Sequence, residues 1–182
     1  MPFTPYHFGP SACLGLPLNR HIDIPVFVLA NVVVDFEPLI VMLSAYDYPL
    51  HGLLHTFLIG AGVGIIWAFA AYPLRKIFRA AMKILYLPYE TSLMKMIVSG
   101  ILGVWLHVLL DSFLYDDIRP FWPMVVNPFY RKISYSSVHF ICELLVISAV
   151  VIYPARAYLI YRRRNIEEAI STTQDKKQGN GQ

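Results

Sequence analysis

Charge is scarce in this chain: only 15% of its 182 residues are Asp, Glu, Lys or Arg, against about a quarter in a soluble domain. That scarcity, with 57% hydrophobic residues and a mean hydropathy of +0.52, excludes an ordinary water-soluble fold. Cysteine is nearly absent as well. Cys13 and Cys142 share no spacing motif and sit in apolar contexts, so they read as small core residues and imply no disulfide framework. The N-terminus MPFTPYHFGPSACLGLPL has no basic n-region and is broken by prolines at 2, 5, 10 and 17, so it does not read as a cleavable signal peptide. The net charge of +3 comes with no basic, aromatic-interleaved surface, which argues against nucleic acid as a partner.

What the chain has in quantity is long apolar runs. Four can be drawn, at roughly 22–45, 51–73, 96–115 and 134–161, each long enough to cross a bilayer as a helix. The expectation is an all-α integral membrane bundle of about four helices. It forms one domain over 1–165, with the lipid bilayer as its surroundings and a polar, disordered cytoplasmic tail at 166–182. The connection 74–95 carries Arg75, Lys76, Arg79, Lys83 and Lys95 against Glu90 alone, and Arg162–Arg164 follow the last run. The positive-inside bias then puts both termini and the 74–95 loop in the cytoplasm. The 45–50 turn, with Asp47, and the 116–133 loop, with Asp116, Asp117, Arg119, Arg131 and Lys132, face outward. The stretch KIFRAAMKILYL reads either as an amphipathic interfacial segment or as a snorkelling connector. The stretch IRPFWPMVVNPFY reads either as a lid or as an aromatic belt at the headgroups.

Ionisable residues inside the runs gather in their outer halves. Asp35 and Glu37 lie in the first, His51 and His55 open the second, His107 and Asp111 end the third, and His139 and Glu143 open the fourth. Three of these pairs are spaced i, i+4, which puts each pair on one helix face. At ~1.5 Å per residue, His55, His107 and Glu143 come to roughly the same depth, ~10–15 Å below the outer helix ends. Asp35 and Glu37 are two apart and would diverge on an unbroken helix. Pro38 disfavours helix at Glu37, so the first span is expected to break around Phe36–Pro38 and turn both carboxylates toward one place. Imidazole with carboxylate is the donor set of zinc and similar divalent metals. Each pair taken singly also reads as an interhelical hydrogen bond.

The order of motifs carries a resemblance. An early His7 (YHFGP), the acidic pair Asp35 and Glu37 (VDFEP), HGLLHT at 51–56 and HVLLD at 107–111 follow one another over roughly residues 1–130. In this order and spacing the chain resembles the membrane-bound, metal-dependent hydrolase family of bacteria and archaea. That family is also described as LexA-binding, inner-membrane-associated hydrolases and is distantly similar to zinc-dependent phospholipase C. The resemblance implies an inner-membrane enzyme whose outward-facing site holds a divalent metal, zinc by preference. His7, Asp35, His51, His55, His107 and Asp111 would be its ligands, and Glu37 the general base or a bridging ligand. It also implies a lipid or lipid-linked ester or phosphoester as substrate. The chain departs from the family pattern at His51, which stands where the family has Arg. Orienting His55 or guarding the entrance is therefore its other role. A small metal-ion or proton transporter using the same cluster is the alternative, although a transport path calls for polar residues through both membrane halves.

Overall fold

The structure, a computed structural model, describes residues 7–44 and 48–179. Pro2, Pro5, Asp47 and the last three residues of the tail lie outside the described residues. Among the described residues seven α-helices follow in order: α1 (Phe8–Gly15), α2 (Ile24–Val34), α3 (Phe36–Ser44), α4 (Phe57–Ala71), α5 (Arg75–Ile84), α6 (Leu93–Ser112) and α7 (Tyr135–Gly179). Four helical stretches are long and apolar enough to cross a membrane: Ile24–Ser44, Phe57–Ile84, Leu93–Ser112 and Tyr135–Glu167.

Local chemistry explains the boundaries. Asp23 caps α2, its Oδ1 accepting from Val26 N at 3.2 Å, and Pro25 stands in the first turn, where its missing N–H goes unmissed. The first span breaks between α2 and α3 at Asp35, just before the expected stretch Phe36–Pro38, and Glu37 and Pro38 are helical within the start of α3. Pro38 has no N–H to return to the carbonyl of Val34, which removes one rung of the ladder. The ladder resumes at the next residue, where Leu39 N donates to Asp35 O at 3.2 Å. The second span starts later than the sequence run implied. Residues 51–56 form a bend and a single 3₁₀ turn, Leu53–His55, and Thr56 then caps α4 through Ile59 N at 3.1 Å. A 3₁₀ turn at Tyr72–Leu74, around Pro73, leads into α5, so most of the basic connector is helical. The final helix continues through the stretch from 166, expected to be disordered, as far as Gly179. Its Glu, Ala, Gln and Lys residues are good helix formers that extend a helix already nucleated.

The central helix is α6, which packs against α4 and α2, while α1 bridges α7 to α2. The face of α4 turned to α6 is Gly60, Gly64, Ala68 and Ala71. At Gly64 the backbones nearly touch, and a Cβ there would stand 2.6 Å from Gly100 C and Ile101 N. Small residues at such a seam are what lets membrane helices associate through close van der Waals contact. The outward faces carry exposed Ile40, Leu43, Ile66, Phe69, Val150 and Val151, the surface a lipid environment accepts. Buried polar groups fasten one end of the bundle. Asp23 Oδ2 accepts from the hydroxyls of Tyr89 at 2.9 Å and Thr91 at 2.5 Å, and Asp23 N donates to Ser99 Oγ at 2.6 Å. Burial and the Asp23 carboxylate together push the Tyr89 hydroxyl well above its ordinary range. At the other end, the segment after α6 folds back over the helix ends. Phe57 N donates to Pro120 O at 2.8 Å, Asn127 Nδ2 caps α6 at Ser112 O, and Ile118 is fully buried. Met124, Val125 and Val126 are left exposed at its tip.

Candidate metal centre

Each side chain at the centre is presented by a helix end or a helix break. Asp35 occupies the junction of α2 and α3, where the backbone leaves the helical ladder. His107 and Asp111 lie one turn apart in the last turns of α6, both buried. His55 ends the 3₁₀ turn just before α4, and His7 stands at the N-cap of α1. The bundle therefore draws its ionisable groups to one end from four separate elements.

Ligand atoms of Asp35, His55, His107 and Asp111 all lie within 4.8 Å of one another, and all four residues are buried. His107 Nε2 stands 3.4 Å from Asp35 Oδ1 and 3.2 Å from Asp111 Oδ2, yet neither approach has the alignment of a hydrogen bond. His7 Nε2 approaches the other oxygen of Asp111 at 3.0 Å, and its ring lies 4.4 Å from that of His107. The His55 and His107 rings are 5.4 Å apart.

Glu37 lies outside this group, on the far nitrogen of His55. Its Oε2 is 2.8 Å from His55 Nδ1 and its Oε1 accepts from Leu54 N at 3.2 Å. Nδ1 is thereby the protonated nitrogen, and Nε2 of His55 is left buried with no hydrogen-bond partner. Both ring nitrogens of His107 are likewise buried without one. Leaving a buried polar atom unmatched costs about 1–3 kcal/mol, so several in one place call for a common partner. Two carboxylates together with imidazole nitrogens are the donor set that suits a divalent cation. A carboxylate behind a ligating histidine is how metal sites fix the ring and its tautomer. The group could hold a metal ion.

His51 also stands apart from the four. Its Nδ1 is 2.9 Å and 3.1 Å from the two oxygens of Asp117, and its backbone N–H donates to the same carboxylate at 3.0 Å. Burial pulls Asp117 upward, but these hydrogen bonds and the charge of His51 outweigh it and hold the carboxyl below its ordinary value. The His51 ring meets His55 edge-on at 4.9 Å and lies 4.3 Å from Tyr115. Burial, with the charge of Asp111 behind it, pushes the Tyr115 hydroxyl up to about 12. Next to His51 a cavity of about 230 Å³ opens between Tyr48, Asp117, Arg119 and Trp122. No family model, no curated protein and no solved structure matches the chain.

Glu143 and His139 do not reach it. Glu143 is exposed on α7, and the His139 ring stacks on Tyr135 at 4.0 Å with Nδ1 2.9 Å from Tyr135 O. The residues that sequence reasoning left unassigned are Asp117, which it counted only as a loop charge, and Asp23. A conformation-dependent pairing across 66 residues leaves no local signal for either.

Proposed function

We propose that the protein is an integral membrane metal-dependent hydrolase acting on an ester or phosphoester bond of a lipid or lipid-linked substrate. The observation that carries the reading is the buried Nε2 of His55, left without a hydrogen-bond partner while Glu37 holds Nδ1, on a residue that offers a ligand atom within 4.8 Å of those of Asp35, His107 and Asp111. The order of motifs shared with membrane-bound hydrolases points the same way. His55, His107, Asp35 and Asp111 would hold the ion, and His7 would brace Asp111. Bound there, a divalent cation of the zinc class would supply Lewis-acid activation of water near neutral pH.

The chain's own residues supply the rest. Glu37 orients His55 and keeps its proton on Nδ1, so the expected role of general base passes from Glu37 to a better-placed group. His51, fixed by Asp117 at the cavity wall and in contact with His55, is positioned to move a proton between the centre and a bound substrate. Arg119 at the cavity mouth offers a guanidinium to an anionic headgroup. The exposed apolar tip Met124–Val126 favours a substrate delivered from the bilayer surface. The proposed orientation places this end on the outer face.

Metal content tests the reading. Wild-type protein purified in detergent at near-neutral pH, without chelator, is expected to carry stoichiometric divalent metal, which His55→Ala and His107→Ala both lose. Metal-free wild type would sink the hydrolase. Hydrolysis of phosphoester and lipid substrates by the loaded protein is the second arm. Ion flux in proteoliposomes that depends on the same residues, with no hydrolysis, would favour the transporter instead.

A further inference from the structure

The other end of the bundle has a feature that the metal centre does not explain. A cavity of about 470 Å³ lies between Asn19, Arg20, Glu90, Lys95, Arg156 and Arg163. Lys95 precedes His107 by twelve residues on α6, which places the cavity ~18 Å from the centre along the helix. Four cations surround it, and Glu90 is the one carboxylate in its lining. Among the described residues no carboxylate comes within 4.0 Å of any of these four cations, since every such pair involves histidine. Their recorded contacts are with neutral groups. Lys95 Nζ donates to the carbonyls of Asn19 at 2.8 Å and Glu90 at 2.7 Å, which leaves its third N–H, and Arg156 Nη2 donates to Asn19 Oδ1 at 3.2 Å. Arg156 and Arg163 lie seven apart on α7 and so share a face. The charge is thus built into the wall, from three separate parts of the chain, and is not balanced within it.

An apolar groove lies beside the cavity. Leu102, Leu106 and Leu109 follow Lys95 at i+7, i+11 and i+14, on the same face of α6. With Leu14 and Leu18 they line an apolar groove of about 360 Å³. Leu18 directly precedes Asn19 and Arg20 at the cavity. A charged cavity at a helix end above an apolar groove matches a phosphate headgroup with an acyl chain beneath it. Basic pockets between membrane helices select anionic lipids in this way.

We propose that the cavity between Arg20, Lys95, Arg156 and Arg163 binds a phosphate-bearing anion, supplied by the headgroup of an anionic phospholipid whose acyl chain lies along the α6 groove. This site is separate from the metal centre and stands whether or not the protein is a hydrolase.

Thermal unfolding of the full chain in a neutral detergent tests it, with phosphatidylglycerol, phosphatidylcholine and inorganic phosphate as probes. Phosphatidylglycerol is expected to raise Tm in a saturable way that phosphatidylcholine does not match. Arg156→Gln/Arg163→Gln is expected to weaken the apparent affinity by roughly fivefold per cation removed. Arg163 is exposed, so Arg163→Gln alone keeps the test valid if the double variant folds poorly, and it is expected to show the single fivefold loss. Lys76→Gln/Lys83→Gln removes the same charge from exposed positions on α5 and is expected to change nothing. Equal responses to the two lipids, or equal weakening in the α5 control, would overturn the site. The same shift from millimolar inorganic phosphate alone would overturn the lipid and assign the cavity to a free anion.

Discussion

Glu37 and Asp35 are two residues apart but do different work, because the helix break sends one carboxylate to His107 and the other to the outer nitrogen of His55. Glu37→Ala is therefore expected to weaken metal binding by about 10–100-fold, as loss of a carboxylate behind a ligand histidine does, while stoichiometry at saturating metal is retained. Competition against a chelator measures this. Loss of stoichiometry itself would instead make Glu37 a ligand. His51 and Asp117 belong to the same scale with the opposite signature. In the proposed hydrolase, His51→Ala should leave metal content intact and lower kcat by about 10²–10⁴-fold, the usual worth of a positioned proton carrier. Metal analysis beside single-turnover rates separates the two effects.

Between elements, the α4–α6 seam decides whether the centre stays assembled, since His55 leads into α4 and His107 and Asp111 end α6. Two glycines on one helix make the test. Gly64 faces the Gly100 backbone, whereas a Cβ at Gly62 would meet nothing within 4 Å. Gly64→Ala should force the helices apart and lower Tm, at a cost of about 1–3 kcal/mol. Gly62→Ala should be neutral or stabilise by up to about 1 kcal/mol through helix propensity. Matching Tm shifts in the two variants would contradict the seam. The same elements show what a sequence of this kind makes legible. The four spans and a break close to Pro38 follow from apolar length and proline chemistry. Depth brings His55 and His107 together but also asks for Glu143, and the set Asp35, His55, His107 and Asp111 comes with the resemblance. The start of α4 did not follow from the sequence, because Thr56 as a cap and the backbone tie from Leu54 to Glu37 outweigh an apolar run that continues to 51. Nor did the facing of α7. That helix is apolar around most of its membrane stretch, so no polar–apolar contrast told which side would carry His139 and Glu143.

Over the whole molecule, the His/Asp group and most of the basic residues lie at opposite ends. The group sits where α6 ends, and the basic residues other than Arg119, Arg131 and Lys132 fall toward the end where α6 begins. The positive-inside bias assigns the basic end to the cytoplasm in the proposed topology. In cells, a membrane-impermeant thiol reagent applied outside should then label Lys132→Cys and leave Lys76→Cys unmodified, both in a Cys13→Ser/Cys142→Ser background. The reverse pattern would invert the proposed topology.

The packing of α1 against α7 has a consequence for the order in which the molecule is made. Asp35, His55, His107 and Asp111 all precede residue 112, so a nascent chain that has reached the end of α6 already contains the whole four-residue group. His7 is different. It heads α1, and α1 rests on α7 at Gly9, where a Cβ would meet the Val146 backbone at 2.9 Å. The helix that carries His7 thus gains part of its support from α7, made long after it, beside the tie from Asn31 Nδ2 to Ser11 Oγ at 2.8 Å that α2 supplies earlier.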